Sequence, residues 1–121
     1  MTKRILVVED TEDNRQILRD LLGAAGFEMI EAEDGAAGVA AAEQERPDLI
    51  LMDIQLPVMD GYEATRRIKA NAELKHIPII AVTSYALSGD EEKARAAGCD
   101  GYVTKPFSPR LLLAKVREHL G

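Results

Sequence analysis

Four short apolar runs, each closed by a polar residue with useful chemistry, constrain this chain more than any other feature. Residues 4–8 end in Glu9-Asp10, residues 48–52 in Asp53, residues 78–82 in Thr83 and residues 101–104 in Lys105. A weaker run over 28–32 contributes Met29 and Ile30. Runs apolar on both faces suit buried parallel strands better than half-exposed antiparallel ones. Between them lie helical patterns. Ile17, Leu18, Leu21, Leu22 and Ala25 recur at helical spacing before Gly26. Ala36 to Glu45 closes ahead of Pro47, and Tyr62 to Asn71 follows the Asp60-Gly61 turn signal. Ser88-Gly89-Asp90-Glu91 has a capping-box pattern with Gly98 as its stop, and Ser108-Pro109 opens a helix whose face is Leu112, Val116 and Leu120.

Strict alternation of five strands with five helices predicts an α/β fold, a parallel sheet covered by helices on both sides. Right-handed crossovers leave few topologies, and the flavodoxin-like (βα)5 order 2-1-3-4-5 fits best. A length of 121 residues suits one domain spanning 1–121, with no separate output domain expected. Fifteen basic against 21 acidic side chains leave a net charge of −6, which disfavours direct nucleic-acid binding. The single Cys99 rules out an internal disulfide or a multi-cysteine metal site. No apolar stretch approaches membrane length and no signal-peptide core is evident, so a cytoplasmic protein is expected.

In a parallel sheet the strand ends share one edge, where open α/β folds bind ligands. Glu9, Asp10, Asp53, Thr83 and Lys105 would converge there. Each alone has a plainer reading: an acid after a strand often caps a helix, and Glu9-Asp10 could cap the first one. Together they bring three carboxylates into one crevice, which must hold a proton or a cation. Oxygen-only ligation with few protein ligands suits Mg²⁺, and an adjacent lysine adds a phosphoryl-binding charge. Asp53, on the strand expected at the centre, is the natural nucleophile for an acyl phosphate. Thr83, one strand over, could donate to a phosphoryl oxygen.

At these residues the sequence resembles the receiver domain of two-component response regulators. The resemblance rests on Ile5 to Asp10, Pro47 to Gly61, Ile79 to Ser84 and Lys105-Pro106-Phe107, and covers residues 3 to 120. Within the family the chain is similar to stand-alone receivers of the DivK type. The resemblance implies that Asp53 accepts a phosphoryl group from a phosphohistidine on a sensor histidine kinase or a histidine phosphotransfer protein. It implies that Asp10, Asp53 and the Gln55 backbone carbonyl ligate Mg²⁺, with Glu9 reaching the metal through water. Lys105 would contact the phosphoryl group, and Thr83 with Tyr102 would form the switch. Lys105-Pro106 is expected to be cis. Phosphorylation would remodel the face of the fourth helix, fifth strand and fifth helix, changing the binding of a downstream protein effector, of a scaffold, or of a second copy as a homodimer.

Gln55 and Tyr85 stand two residues after the acceptor and the threonine. Neither is acidic, which implies slow loss of the phosphate. Two further readings remain open at this level: a Mg²⁺-dependent phosphohydrolase with an aspartyl-phosphate intermediate, and a receiver acting as phosphate sink or shuttle in a phosphorelay. A flavodoxin is disfavoured by the acidic loop after the first strand. Cys99 is expected as a small buried hydrophobe, Phe107 as packing under the Pro106 turn, and His76 and His119 as solvated.

Overall fold

The computed structural model describes residues 2–84 and 89–120. In chain order it contains β1 (Arg4–Val8), α1 (Glu12–Ala24), β2 (Glu28–Ala32), α2 (Gly35–Glu45), β3 (Leu49–Asp53), α3 (Gly61–Ala70), β4 (Ile79–Thr83), α4 (Asp90–Ala97), β5 (Gly101–Thr104) and α5 (Pro109–Leu120). The sheet order is β2-β1-β3-β4-β5 and every pairing is parallel. The expected flavodoxin-like architecture is therefore the observed one.

The period of two along each strand divides the core. Leu6, Val8, Ile50, Met52, Ile79 and Ala81 face one side and pack with Ala42, Ala64, Ile68 and Ala94 of α2, α3 and α4. Ile5, Val7, Leu49, Leu51, Ile80 and Val82 face the other, against Leu18 and Leu22 of α1 and Leu112 and Val116 of α5. Each of these large aliphatic side chains is shielded from water, a burial worth roughly 1.5–3 kcal/mol apiece. The central strands β1, β3 and β4 are thereby locked on both faces, which fixes the edge they present.

Boundaries moved by about one residue. The strand expected over 48–52 is Leu49–Asp53, and that over 78–82 is Ile79–Thr83. Asp53 and Thr83 are thus the last rungs of their strands, in register with Val82 and Thr104 respectively. Asp60 is the N-cap of α3, its carboxylate accepting from Glu63 N at 2.9 Å. Gly89 is the N-cap of α4; the Ser88 proposed for a capping box lies outside the described residues, as does Tyr85. Glu9-Asp10 do not cap α1, whose N-cap is Thr11. No helix among the described residues is long and apolar enough to cross a membrane.

Candidate functional site

The C-terminal ends of β1, β3, β4 and β5 meet along one edge. Glu9, Asp53 and Thr83 are buried there and Asp10 is exposed. One carboxylate oxygen from each of Glu9, Asp10 and Asp53 lies within 4.8 Å of the others. Lys105 Nζ sits 2.6 Å from Glu9 Oε1 and 3.1 Å from Asp53 Oδ2. The Lys105-Pro106 peptide is cis. All five strand-end residues therefore come together.

The loops explain the placement. Glu9 N is tied to Ala32 O of β2, and its carboxylate accepts from Thr11 N at 3.0 Å and Asn14 Nδ2 at 3.4 Å. After β3 the chain turns back: Gly61 N bonds Ile54 O at 3.0 Å. A Cβ on Gly61 would lie 2.2 Å from the carbonyl oxygen of Asp53, so only glycine lets α3 start this close to the acid. Within that loop Val58 has φ 69°, and Met59 N bonds Pro57 O at 2.7 Å. A β-branched residue there is a backbone outlier beside the site.

Burial and the neighbouring Glu9 charge push the Asp53 carboxyl up to about 6, against the pull of Lys105. For Glu9 burial acts upward too, but the Lys105 ammonium and the Thr11 N–H outweigh it and hold the carboxyl below its usual range. Asp10 is raised by desolvation and by Glu9. The Lys105 ammonium is held above its ordinary value by the two carboxylates despite burial. Among the described residues, the acids thus exceed the one cation that serves them. A donor set made only of hard oxygens, with a deficit of positive charge, fits a divalent ion such as Mg²⁺.

Asp53 Oδ1 accepts from Gln55 N at 3.1 Å. The Gln55 side chain crosses to β4, donating from Nε2 to Thr83 Oγ1 at 2.7 Å and accepting from Ser84 N at 3.1 Å. Tyr102 is half-buried on β5, in register with Ala81 and packed on the α2–α4 side of the core. A cleft of about 560 Å³ opens beside Asp53 and Lys105, walled by Ile17, Leu18, Pro106 and Phe107.

Two participants were not anticipated. Arg15 is 6 % exposed, donates to the Glu9 carbonyl at 2.7 Å and pairs with Glu12 at 2.6 Å and Glu31 at 3.2 Å. Its spacing to Leu18 and Leu22 puts it on the buried stripe of α1, a signal present in the sequence. The Gln55 carboxamide is the other. Cys99 is buried as expected, 3.7 Å from Thr65 Oγ1, and Phe107 packs on the α1–α5 side of the core. His76 is exposed, but His119 is half-buried against Gly101, where a Cβ would meet Nε2 at 2.9 Å; the missing side chain at Gly101 makes room for the ring.

A family model described as the response regulator receiver domain matches residues 5–117. The chain is 46 % identical over 121 residues to the polar-differentiation response regulator DivK of Brucella ovis, covering all of this chain and 98 % of that protein; the Brucella anthropi protein matches equally. Among solved structures it is similar to the receiver domain of a Pseudomonas aeruginosa sensor histidine kinase with a magnesium ion coordinated in its active-site cleft. That match has 40 % identity and a TM-score of 0.93, and covers 100 % and 99 % of the two chains. Chemotaxis protein CheY4 of Vibrio cholerae is 30 % identical, with a TM-score of 0.92 and 98 % of each chain covered. Fold, acidic edge and these matches define a receiver domain of two-component signalling. The chain belongs to the response regulator receiver family.

Proposed function

We propose that this chain is a cytoplasmic, single-domain phosphorylation switch with Asp53 as phosphoacceptor. A carboxylate oxygen of Asp53 forms a new P–O bond as the P–N bond of a donor phosphohistidine breaks, and the imidazole leaves with its electron pair. When bound, Mg²⁺ supplies charge neutralisation for the phosphoryl oxygens. Asp10, Asp53 and the Gln55 carbonyl would hold it, with Glu9 reaching it through water. Lys105 then pairs with a phosphoryl oxygen, and Thr83 donates its hydroxyl hydrogen to another. A charge-assisted bond of that kind is worth roughly 1.5–3 kcal/mol, enough to bias a conformational equilibrium. Tyr102 follows Thr83, and the α4–β5–α5 face changes its affinity for a protein partner.

The observation that carries this reading is the buried Asp53 held between an acid and a lysine, with a third carboxylate exposed at the rim. Ile17, 55 % exposed beside the cleft, supports docking of the phosphodonor over α1 and the β5–α5 turn. The acidic Asp13, one helical turn before Ile17, favours a donor with basic flanks. The likeness to response regulators of polar differentiation supports histidine kinases or phosphotransfer proteins as partners. Gln55 has its carboxamide committed to Thr83 and Ser84, so it supplies no acid for a hydrolase's leaving group.

The test is phosphotransfer profiling with purified histidine kinases from the source organism. Rapid, Mg²⁺-dependent transfer from one of them is expected, with none to Asp53→Asn. Steady turnover of small phosphomonoesters without a histidine donor would contradict it.

A further inference from the structure

One residue touches both the acceptor and the switch. Gln55 bonds Asp53 Oδ1 through its backbone N–H, and bonds Thr83 Oγ1 and Ser84 N through its side chain. The orientation of the carboxamide is fixed by chemistry. Ser84 N–H can only donate, so the atom facing it must be Oε1, and Nε2 must face the hydroxyl. Thr83 Oγ1 is therefore an acceptor toward Gln55, and its hydrogen is directed to a different partner. Both ends of the carboxamide are thus spent on the last residue of β4 and the residue that follows it. Thr83 is 1 % exposed and Gln55 half-buried, so water competes poorly for these bonds.

We infer that Gln55 is a positioning residue: its side chain tethers the Thr83 hydroxyl and the Ser84 amide in the resting arrangement and sets how readily the end of β4 answers a phosphoryl group on Asp53. This rests on Asp53 as acceptor and Thr83 as switch. Movement of Thr83 toward an oxygen on Asp53 would carry the end of β4 relative to the β3–α3 loop that anchors Gln55. The two carboxamide bonds oppose that shift. The tether lowers the apparent affinity for the phosphoryl group while keeping the unmodified protein in one state.

The experiment uses the full chain, with beryllofluoride plus Mg²⁺ as a non-covalent stand-in for the phosphoryl group. Gln55→Leu keeps the volume without hydrogen bonds, and Thr83→Val removes only the hydroxyl; both single variants and the double variant are compared with the wild type. In the unmodified protein, hydrogen exchange at the Ser84 amide is expected to speed up in Gln55→Leu. In the titration, Gln55→Leu should bind beryllofluoride roughly three- to tenfold more tightly, the equivalent of one or two modest hydrogen bonds. In the Thr83→Val background the same change should give roughly a twofold gain or less, because a residue acting through the hydroxyl loses its effect when the hydroxyl is gone. A purely structural role would give additive effects. Unchanged Ser84 exchange, unchanged or weaker binding, or an equal gain in both backgrounds would overturn the inference. A wild type that binds no beryllofluoride would overturn the phosphoacceptor reading itself, an outcome separate from any difference among variants.

Discussion

The carboxylate of Glu9 meets the ammonium of Lys105 at 2.6 Å across 96 positions of chain. That half-buried pair leaves Asp53 the weaker share of the cation, at 3.1 Å. The arrangement places one positive charge between two acids and keeps Asp53 poorly compensated.

Lys105→Met should therefore harm the protein through Glu9 as much as through Asp53. Removing one partner of a buried ion pair costs about 3–5 kcal/mol at the extreme. Urea unfolding in chelator at pH 7 should show a loss of a few kcal/mol. The loss should shrink toward pH 5, where the stranded acids take up protons. A loss that is equal at both pH values would show that the lysine acts through packing alone.

Asp53 gives a pH dependence of defined sign. Its carboxyl stands at about 6 in the fold and near 3.9 in the unfolded chain, so the folded state binds the proton more tightly. Its stabilising contribution is full below pH ~4 and is lost as pH rises through about 6. Asp53→Asn should remove this slope and stabilise the protein without divalent ions at pH 7, by up to about 3 kcal/mol. Denaturant melts in chelator between pH 4 and 8 check it. Added Mg²⁺ should stabilise the wild type and leave the variant nearly unmoved.

Val58 holds φ 69° with its side chain 84 % exposed, so the strain has no packing to offset it. Left-handed backbone costs a residue with a Cβ roughly 1–2 kcal/mol, and glycine returns part of that to the unfolded chain as entropy. Val58→Gly should stabilise by about 0.5–1 kcal/mol, read from the urea midpoint. Destabilisation would mean that Val58 makes a contact its exposure does not suggest.

Gly61→Ala should do the reverse. Its Cβ would stand 2.2 Å from the Asp53 carbonyl oxygen and 2.8 Å from Ile54 Cα, both backbone, so the end of β3 must move. A loss of more than about 2 kcal/mol is expected from such a clash, together with weaker Mg²⁺ binding by calorimetry. Wild-type values for both would show that the turn relaxes without moving the acid.

The fold was legible because strand and helix periods alternate cleanly and the apolar runs are unmixed. Asp53 and Thr83 were legible as strand ends, though each belongs to the last rung rather than the residue after it. Boundaries slip by a residue because the ladder extends wherever a neighbouring strand offers a partner, and here Val82 and Thr104 do so. Arg15 was missed although its helical spacing to Leu18 and Leu22 marks it: a lone arginine is ordinarily solvated, and only the three-dimensional meeting of the Glu9 carbonyl, Glu12 and Glu31 gives it a buried place. The bridge from Gln55 to Thr83 and Ser84 depends on side-chain reach between two strands and leaves no periodic trace. His119 reads as solvated in the sequence because the space it fills is made by an absent side chain at Gly101, 18 residues away in chain order and on a different element.

The most direct test is peptide-resolved mass spectrometry of the protein incubated with acetyl phosphate, with Mg²⁺ and with chelator. One alkali- and hydroxylamine-labile phosphoryl adduct is expected, on the peptide containing Asp53, only with Mg²⁺, and absent from Asp53→Asn. An adduct at another residue, or none in Mg²⁺ with the protein folded, would contradict Asp53 as the phosphoacceptor.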